Sequence, residues 1–174
     1  SAGMRLIGPN GMGLYSPQSG LSFFPQMSKA PGPVGIVSHS GSLTNILGVM
    51  ASRKGILFSK VISSGNECDL SAADFLTYLG HDPETGLVGA YIEGIQDGPR
   101  FFKALRETSR KKPVIIWKVG LTPEGSRAAH SHTGALAGSR QIWQAVVQQS
   151  GAIPALGFEA WVDALMGFSL LTVA

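Results

Sequence analysis

The chain has 174 residues, 44% of them hydrophobic and only 14% charged, with 23 glycines and a net charge of +3. That is the size and make-up of one well-buried domain, and it excludes a disordered segment. The one cysteine, Cys68, has no second cysteine or histidine at metal-ligand spacing, which excludes a disulfide scaffold and a structural zinc site and points to a reducing, cytoplasmic setting.

The first residues, SAGMRLIGPNG, lack a charged region followed by an apolar one and do not read as a signal peptide. The stretch up to residue 32 is turn-rich and stands outside the pattern that follows, so we expect it to be the tail of an upstream unit, with a boundary between 1–32 and 33–174. Val34 to Val37 then reads as a strand. It leads into a helix whose Leu43, Ile46, Leu47 and Met50 fall on one face, with Gly55 as its stop. Phe58 to Ile62 is the next strand, and the Ser71 to Asp74 spacing predicts a capping box at the head of SAADFLTYL. Leu87 to Ile92 is a third strand. Asp97 caps a helix with Pro99 in its first turn and Phe101, Phe102 and Leu105 turned inward.

Val114 to Val119 is the fourth and most continuous strand. Arg110, Lys111 and Lys112 just before it form the only basic cluster, at a helix end where cations complement the dipole, and with no interleaved aromatics they do not make a nucleic-acid site. Ser139 is a candidate cap for RQIWQAVVQQS, which is expected to bury Ile142, Val146 and Trp143 before Gly151 closes it. Ile153 to Leu156 reads as a fifth, edge strand, because Pro154 does not suit a central one. The last helix puts Phe158, Trp161, Leu165 and Phe168 on one face; Glu159 and Asp163 mark it as a packing helix and not a membrane span.

Strands alternating with helices of this length imply right-handed crossovers and an open, doubly wound parallel α/β sheet covered on both faces, a three-layer αβα arrangement. Ligands of such sheets bind beyond the carboxyl ends of the strands, so function should lie in SHSGS, SSGNE, EGIQDG and VGLTPEGSRAAHSHTG. In SHSGS, the backbone around Ser40, Gly41 and Ser42 opens a helix and makes an anion site; the plainer alternative is that Ser40 or Ser42 only caps it. SSGNE repeats the arrangement, with Gly65 free to take positive φ and Asn66 offering a donor and an acceptor. Neither GxGxxG nor GxxxxGK[ST] is present. Glu93 ends the third strand. A carboxylate on one ring nitrogen of a neutral imidazole fixes its tautomer and stabilises charge on it, so Glu93 and His132 could make such a pair; His39, His81 and His130 compete, and spacing alone does not choose among them.

Taken together, GPNGMG, VGIVSHSGSLTN, SSGNECDLSAADFLTYLGHDPET, YIEGIQDG, KKPVIIWKVG and SHTGALAG resemble the NDP-forming acyl-CoA synthetases. That superfamily includes the ADP-forming acetyl-CoA synthetases and the α subunit of succinyl-CoA synthetase, and the resemblance runs through nearly the whole chain in the family's order. It implies a flavodoxin-like second domain that follows a CoA-binding Rossmann domain. By matching motif, His132 would be the phosphohistidine and Glu93 would hold its imidazole. Ser40, Gly41 and Ser42 would stabilise the phosphoryl group, with Gly65 and Asn66 beside the same pocket. The implied chemistry uses acyl-CoA and inorganic phosphate, passes through acyl phosphate and phosphohistidine, and needs ATP or ADP with Mg²⁺ on an ATP-grasp partner; it involves no nucleic acid and no membrane. Gly11 stands after GPN where many relatives carry cysteine or threonine, a departure in the thioester pocket. The competing implication is a regulatory or scaffold domain, as in the family's protein lysine acetyltransferases. Retention of His132 and Glu93 favours the enzyme.

Overall fold

The computed structural model describes residues 3–24, 27–121 and 139–171. SHTGALAG, with the proposed carrier His132, and His130 before it, lie outside the described residues. The elements run β1 (Gly13–Ser16), a 3-10 turn (Pro17–Ser19), β2 (Leu21–Ser22), β3 (Val34–Ser38), α1 (Gly41–Lys54), β4 (Phe58–Ser63) and α2 (Ala72–His81). They continue with β5 (Leu87–Ile92), α3 (Gly98–Ser109), β6 (Val114–Lys118), α4 (Arg140–Ser150), β7 (Ile153–Pro154) and α5 (Phe158–Leu171).

The seven strands form one sheet in the order β2-β1-β4-β3-β5-β6-β7. From β4 to β7 every pairing is parallel, so the expected doubly wound α/β sheet is what forms, and its internal order is that of a flavodoxin-like fold. The lead-in segment adds what periodicity did not reveal: β1 and β2 pair antiparallel with each other, and β1 pairs antiparallel with β4, extending the sheet at that edge. Strands of four and two residues are too short to show an alternating pattern.

Both faces of the sheet are covered, which is why β3 and β5 are buried at every position. One face packs Phe75, Leu76 and Leu79 of α2, Phe101 and Leu105 of α3, and Trp143 and Val147 of α4 against Val37, Val88, Ile92 and Ile116. The other packs Leu47 and Ala51 of α1 and Trp161, Val162 and Leu165 of α5 against Ile36, Val61, Leu87 and Ile115. Buried Trp161 satisfies its own polar atom, with Nε1 donating to the Ile115 carbonyl at 3.1 Å.

Local signals in the sequence fix the helix ends. The Ser71 N–H donates to Asp74 Oδ2 at 2.9 Å, closing the capping box of α2, and the Arg100 N–H donates to Asp97 Oδ1 at 3.0 Å at the head of α3. Gly55 and Gly151 end α1 and α4 in the left-handed conformation. Ser139 precedes α4 as expected, but its side chain makes no capping bond.

Two helix faces differ from the sequence reading by one position. In α1 the buried set is Thr44, Leu47, Gly48 and Ala51, and Ile46 is 51% exposed. The spacing is the predicted one started a residue later. A Cβ at Gly48 would lie 2.8 Å from Met27 Cε, so the small-residue edge of the helix can approach the sheet and Met27 closely, and Ile46 is turned out. In α4 the buried residues are Trp143, Val147 and Ser150, while Ile142 is 67% exposed. Trp143 packs beside Phe101, ring centroids 6.4 Å apart, and burying the larger side chain sets the roll of the helix. In α3, Phe101 and Leu105 face inward as expected, but Phe102 is only partly buried. β7 ends at Pro154, two residues short of the predicted strand, and pairs only with β6, as an edge strand carrying proline should.

Candidate functional site

The sheet changes direction between β3 and β5. The chain leaves β3 through α1 toward β4 and crosses back through α2 to β5, and loops diverging at such a point open a crevice beyond the carboxyl ends of the strands. Registers align Ser38 with Ser63 and Tyr91, and Ile92 with Lys118, along that end. The loops SHSGS, SSGNE and EGIQDG therefore emerge side by side.

Ser40 sits in extended conformation as the cap of α1, and its Oγ accepts from the Leu43 N–H at 3.3 Å. The plain capping role of Ser40 is thus realised, and the Ser42 hydroxyl stands 3.2 Å from the Ser40 hydroxyl at the same helix end. Capping and anion binding are compatible, because a side-chain cap uses one amide while the others at the N-terminus keep their outward dipoles. Met12 lies over this end: a Cβ on Gly41 would meet Met12 Cγ at 2.5 Å.

Gly65 adopts φ +61°, and its buried backbone is crossed by the GPNGMG segment. The Asn66 N–H donates to the Pro9 carbonyl at 2.9 Å, the Cys68 N–H to Gly8 at 2.9 Å and the Leu70 N–H to Leu6 at 3.2 Å. Two motifs more than fifty residues apart become one unit, with Asn10 Nδ2 reaching Asn66 Oδ1 at 3.4 Å. The glycine at position 11 now has a reason. A Cβ there would lie 2.3 Å from the Ser63 carbonyl, so this backbone path does not admit the cysteine or threonine expected of relatives.

Glu93 is 8% exposed and is held on several sides. Its N–H donates to His39 Nδ1 at 3.2 Å, and its carbonyl accepts from Lys118 Nζ at 2.9 Å. Lys118 also donates to the Val119 carbonyl. Burial first, then the charge and hydrogen bonding of Glu93, push the Tyr91 hydroxyl upward; burial lowers the Lys118 ammonium, with the Glu93 charge opposing. A cation and a carboxylate therefore share a desolvated pocket at the ends of β5 and β6. On the other side of His39, Nε2 lies 3.0 Å from Glu67 Oε1, both side chains being buried, though off the axis of a well-directed hydrogen bond. Glu67 Oε1 also accepts from the Ser64 hydroxyl at 2.8 Å, and Glu67 itself has φ +56°, a conformation that costs about 1 kcal/mol or more in a residue with a side chain.

Ser40, Gly41, Ser42, Gly65, Asn66 and Glu93 thus lie at one end of the sheet, with His39 joining the Glu93 and SHSGS loops directly. His132 lies outside the described residues. The sequence reading passed over Glu67, Tyr91 and Lys118. The signal for Lys118 was available, since it is the one charge in the otherwise apolar strand VIIWKV. Among the described residues, no three histidines, cysteines or carboxylates gather closely enough to hold a metal ion. No helix among them is long and apolar enough to cross a membrane.

Comparison with known proteins identifies the family of the fold. Residues 31–168 match the family model for the succinyl-CoA ligase like flavodoxin domain. An ADP-forming acetate–CoA ligase of Methanocaldococcus jannaschii is 41% identical over 95% of this chain and 24% of that protein. The α subunit of ADP-forming acetate–CoA ligase II of Pyrococcus furiosus is 42% identical over 88% of this chain and 34% of that subunit. The dinucleotide-forming acetyl-coenzyme A synthetase 1 of Ca. Korarchaeum cryptofilum, solved with phosphate and ADP, superposes with a TM-score of 0.88 at 36% identity, over 96% of this chain and 37% of that one. The chain spans between a quarter and a third of the length of these curated relatives. With the family model covering the parallel sheet and its flanking helices, the chain belongs to the succinyl-CoA ligase-like flavodoxin domain family.

Proposed function

We propose that this chain is the phosphohistidine-bearing domain of an NDP-forming acyl-CoA synthetase, converting acyl-CoA, phosphate and ADP reversibly to acid, CoA and ATP. The observation that carries the reading is Glu93, a carboxylate buried at the switch point of the sheet and held on both sides of its backbone. It stands beside the head of α1 in a chain whose relatives are named as ADP-forming CoA ligases.

In the first step a phosphate oxygen attacks the thioester carbonyl, the C–S bond breaks and CoA leaves as thiolate. Next, a ring nitrogen of His132 attacks the phosphorus of the acyl phosphate; the P–O bond to the acyl group breaks and the carboxylate leaves with the electron pair. Finally the N–P bond breaks as a β-phosphate oxygen of ADP takes the phosphoryl group. This chain supplies charge placement: the amide dipoles around Ser40, Gly41 and Ser42 face phosphoryl oxygens, Gly65 and Asn66 border the pocket, and the Glu93 carboxylate accepts the ring N–H of His132 and stabilises positive charge on the ring. Mg²⁺ and the nucleotide belong to an ATP-grasp domain or subunit and CoA to an upstream Rossmann domain, with residues 1–32 leading out of the latter; Mg²⁺ supplies charge neutralisation on the transferring phosphate.

The test is phosphate labelling of the complete protein, with its ATP-grasp partner and Mg-ATP. The wild type should take up acid-labile, base-stable phosphate, His132→Asn none, and Glu93→Gln should label at least roughly tenfold more slowly. Equal labelling of His132→Asn would overturn the assignment, and no labelling of the wild type would turn the reading to the regulatory domain.

A further inference from the structure

Resting on the reading of Glu93 given above, the geometry points to His39 as a positioning residue for Glu93, held neutral with its proton on Nε2. Three strand ends meet at His39. Its Nδ1 takes the backbone N–H of Glu93 at 3.2 Å, its Nε2 faces Glu67 Oε1 at 3.0 Å, and its backbone N–H donates to the Tyr91 carbonyl at 3.2 Å.

An imidazole has two ring nitrogens, and each protonation state assigns them differently. In the imidazolium both carry a proton, so Nδ1–H would confront the Glu93 N–H. In the Nδ1–H tautomer the same two protons collide and the Nε2 lone pair points at the Glu67 carboxylate. Only the Nε2–H tautomer clashes with neither neighbour: Nδ1 accepts the Glu93 N–H, and the proton on Nε2 faces the Glu67 carboxylate in electrostatic contact, off the line of a hydrogen bond. The Ser64 hydroxyl donates to Glu67 Oε1 at 2.8 Å, and the Nε2 proton of His39 turns its positive end toward the same oxygen from 3.0 Å. Glu93 is then located by two bonds to its own backbone, the His39 ring on its N–H and the Lys118 ammonium on its carbonyl. The carboxylate that holds a reacting imidazole owes its position to a second imidazole that does not react.

Two substitutions separate the two halves of the ring. His39→Asn places an amide oxygen near the position of Nδ1 and keeps an acceptor for Glu93; His39→Gln extends its amide toward the position of Nε2 and keeps a donor for Glu67. Measured in the complete protein as initial rate of histidine phosphorylation at saturating and subsaturating Mg-ATP, His39→Leu and His39→Gln should each lower kcat roughly tenfold with KM little changed. His39→Asn should recover most of the rate lost in His39→Leu. Circular dichroism checks that the variants fold. Independently of activity, ring-¹⁵N-labelled histidine in the same wild-type protein, with the His39 signal assigned by its loss in His39→Asn, should show the Nε2–H pattern at neutral pH. An Nδ1–H or doubly protonated ring would overturn the inference, as would equal rates in all three folded variants while the wild type labels normally. Failure of the wild type to label at all would overturn the function proposed above, and with it any role for His39 in positioning.

Discussion

Replacing Gly65 by alanine tests how the site is assembled, because position 65 is where the lead-in segment crosses the loop after β4. Its φ of +61° costs a residue with a side chain about 1–2 kcal/mol. A Cβ there would also lie 2.2 Å from the Pro9 carbonyl oxygen and 2.6 Å from Gly11 N. Both are backbone atoms, so no side chain can rotate away and the segment from Leu6 to Gly11 has to move. That movement breaks or lengthens the bond between the Asn66 N–H and Pro9 and strains its neighbours at Cys68 and Leu70, at roughly 1 kcal/mol each. Gly65→Ala should therefore lower unfolding stability by about 2–4 kcal/mol. Urea denaturation gives the size. Hydrogen exchange gives the place, with the amides of Asn66, Cys68 and Leu70 losing protection more than those of β5. A loss below about 1 kcal/mol with those three amides unchanged would refute the argument that the GPNGMG and SSGNE motifs form one rigid unit.

Two further substitutions probe the core and an ion pair. Leu47→Ala should cost about 2–5 kcal/mol and Ile46→Ala less than about 1, since Leu47 is fully buried and Ile46 half exposed; equal losses in thermal or urea unfolding would restore the face predicted from spacing. The Asp82 carboxylate, its burial outweighed by donors from Lys60 at 2.8 Å and Thr85 at 2.6 Å, sits below the ordinary carboxylate range. Its contribution is therefore complete above the unfolded value of about 3.9 and is lost as pH falls through the lower folded value. Asp82→Asn, which leaves Lys60 paired with Glu84 at 2.6 Å, should be about 1–3 kcal/mol less stable at neutral pH and should lack the part of the wild type's acid-side decline that lies below about pH 4. An identical acid limb in both proteins would remove the pair from the account.

What the sequence determined by itself is local. The Ser71 and Asp74 capping box, the Asp97 cap and the glycine stops at Gly55 and Gly151 act within a few residues, so the order of strands and helices from residue 33 onward follows from the chain alone. The parallel sheet follows too, because helices of that length between buried strands leave few alternatives. Tertiary structure decided the rest. The faces of α1 and α4 differ from their hydrophobic spacing by one residue because the closest approach at Gly48 and the bulk of Trp143 choose the roll, and neither is a property of a single helix. Strands as short as β1 and β2 exist only because β4 offers an edge to pair with. His39 looked like one histidine among four until folding brought it to Glu93, 54 residues away. Pattern in one dimension fixes periodicity, whereas a polar site at the switch point is made of contacts between loops that follow different strands.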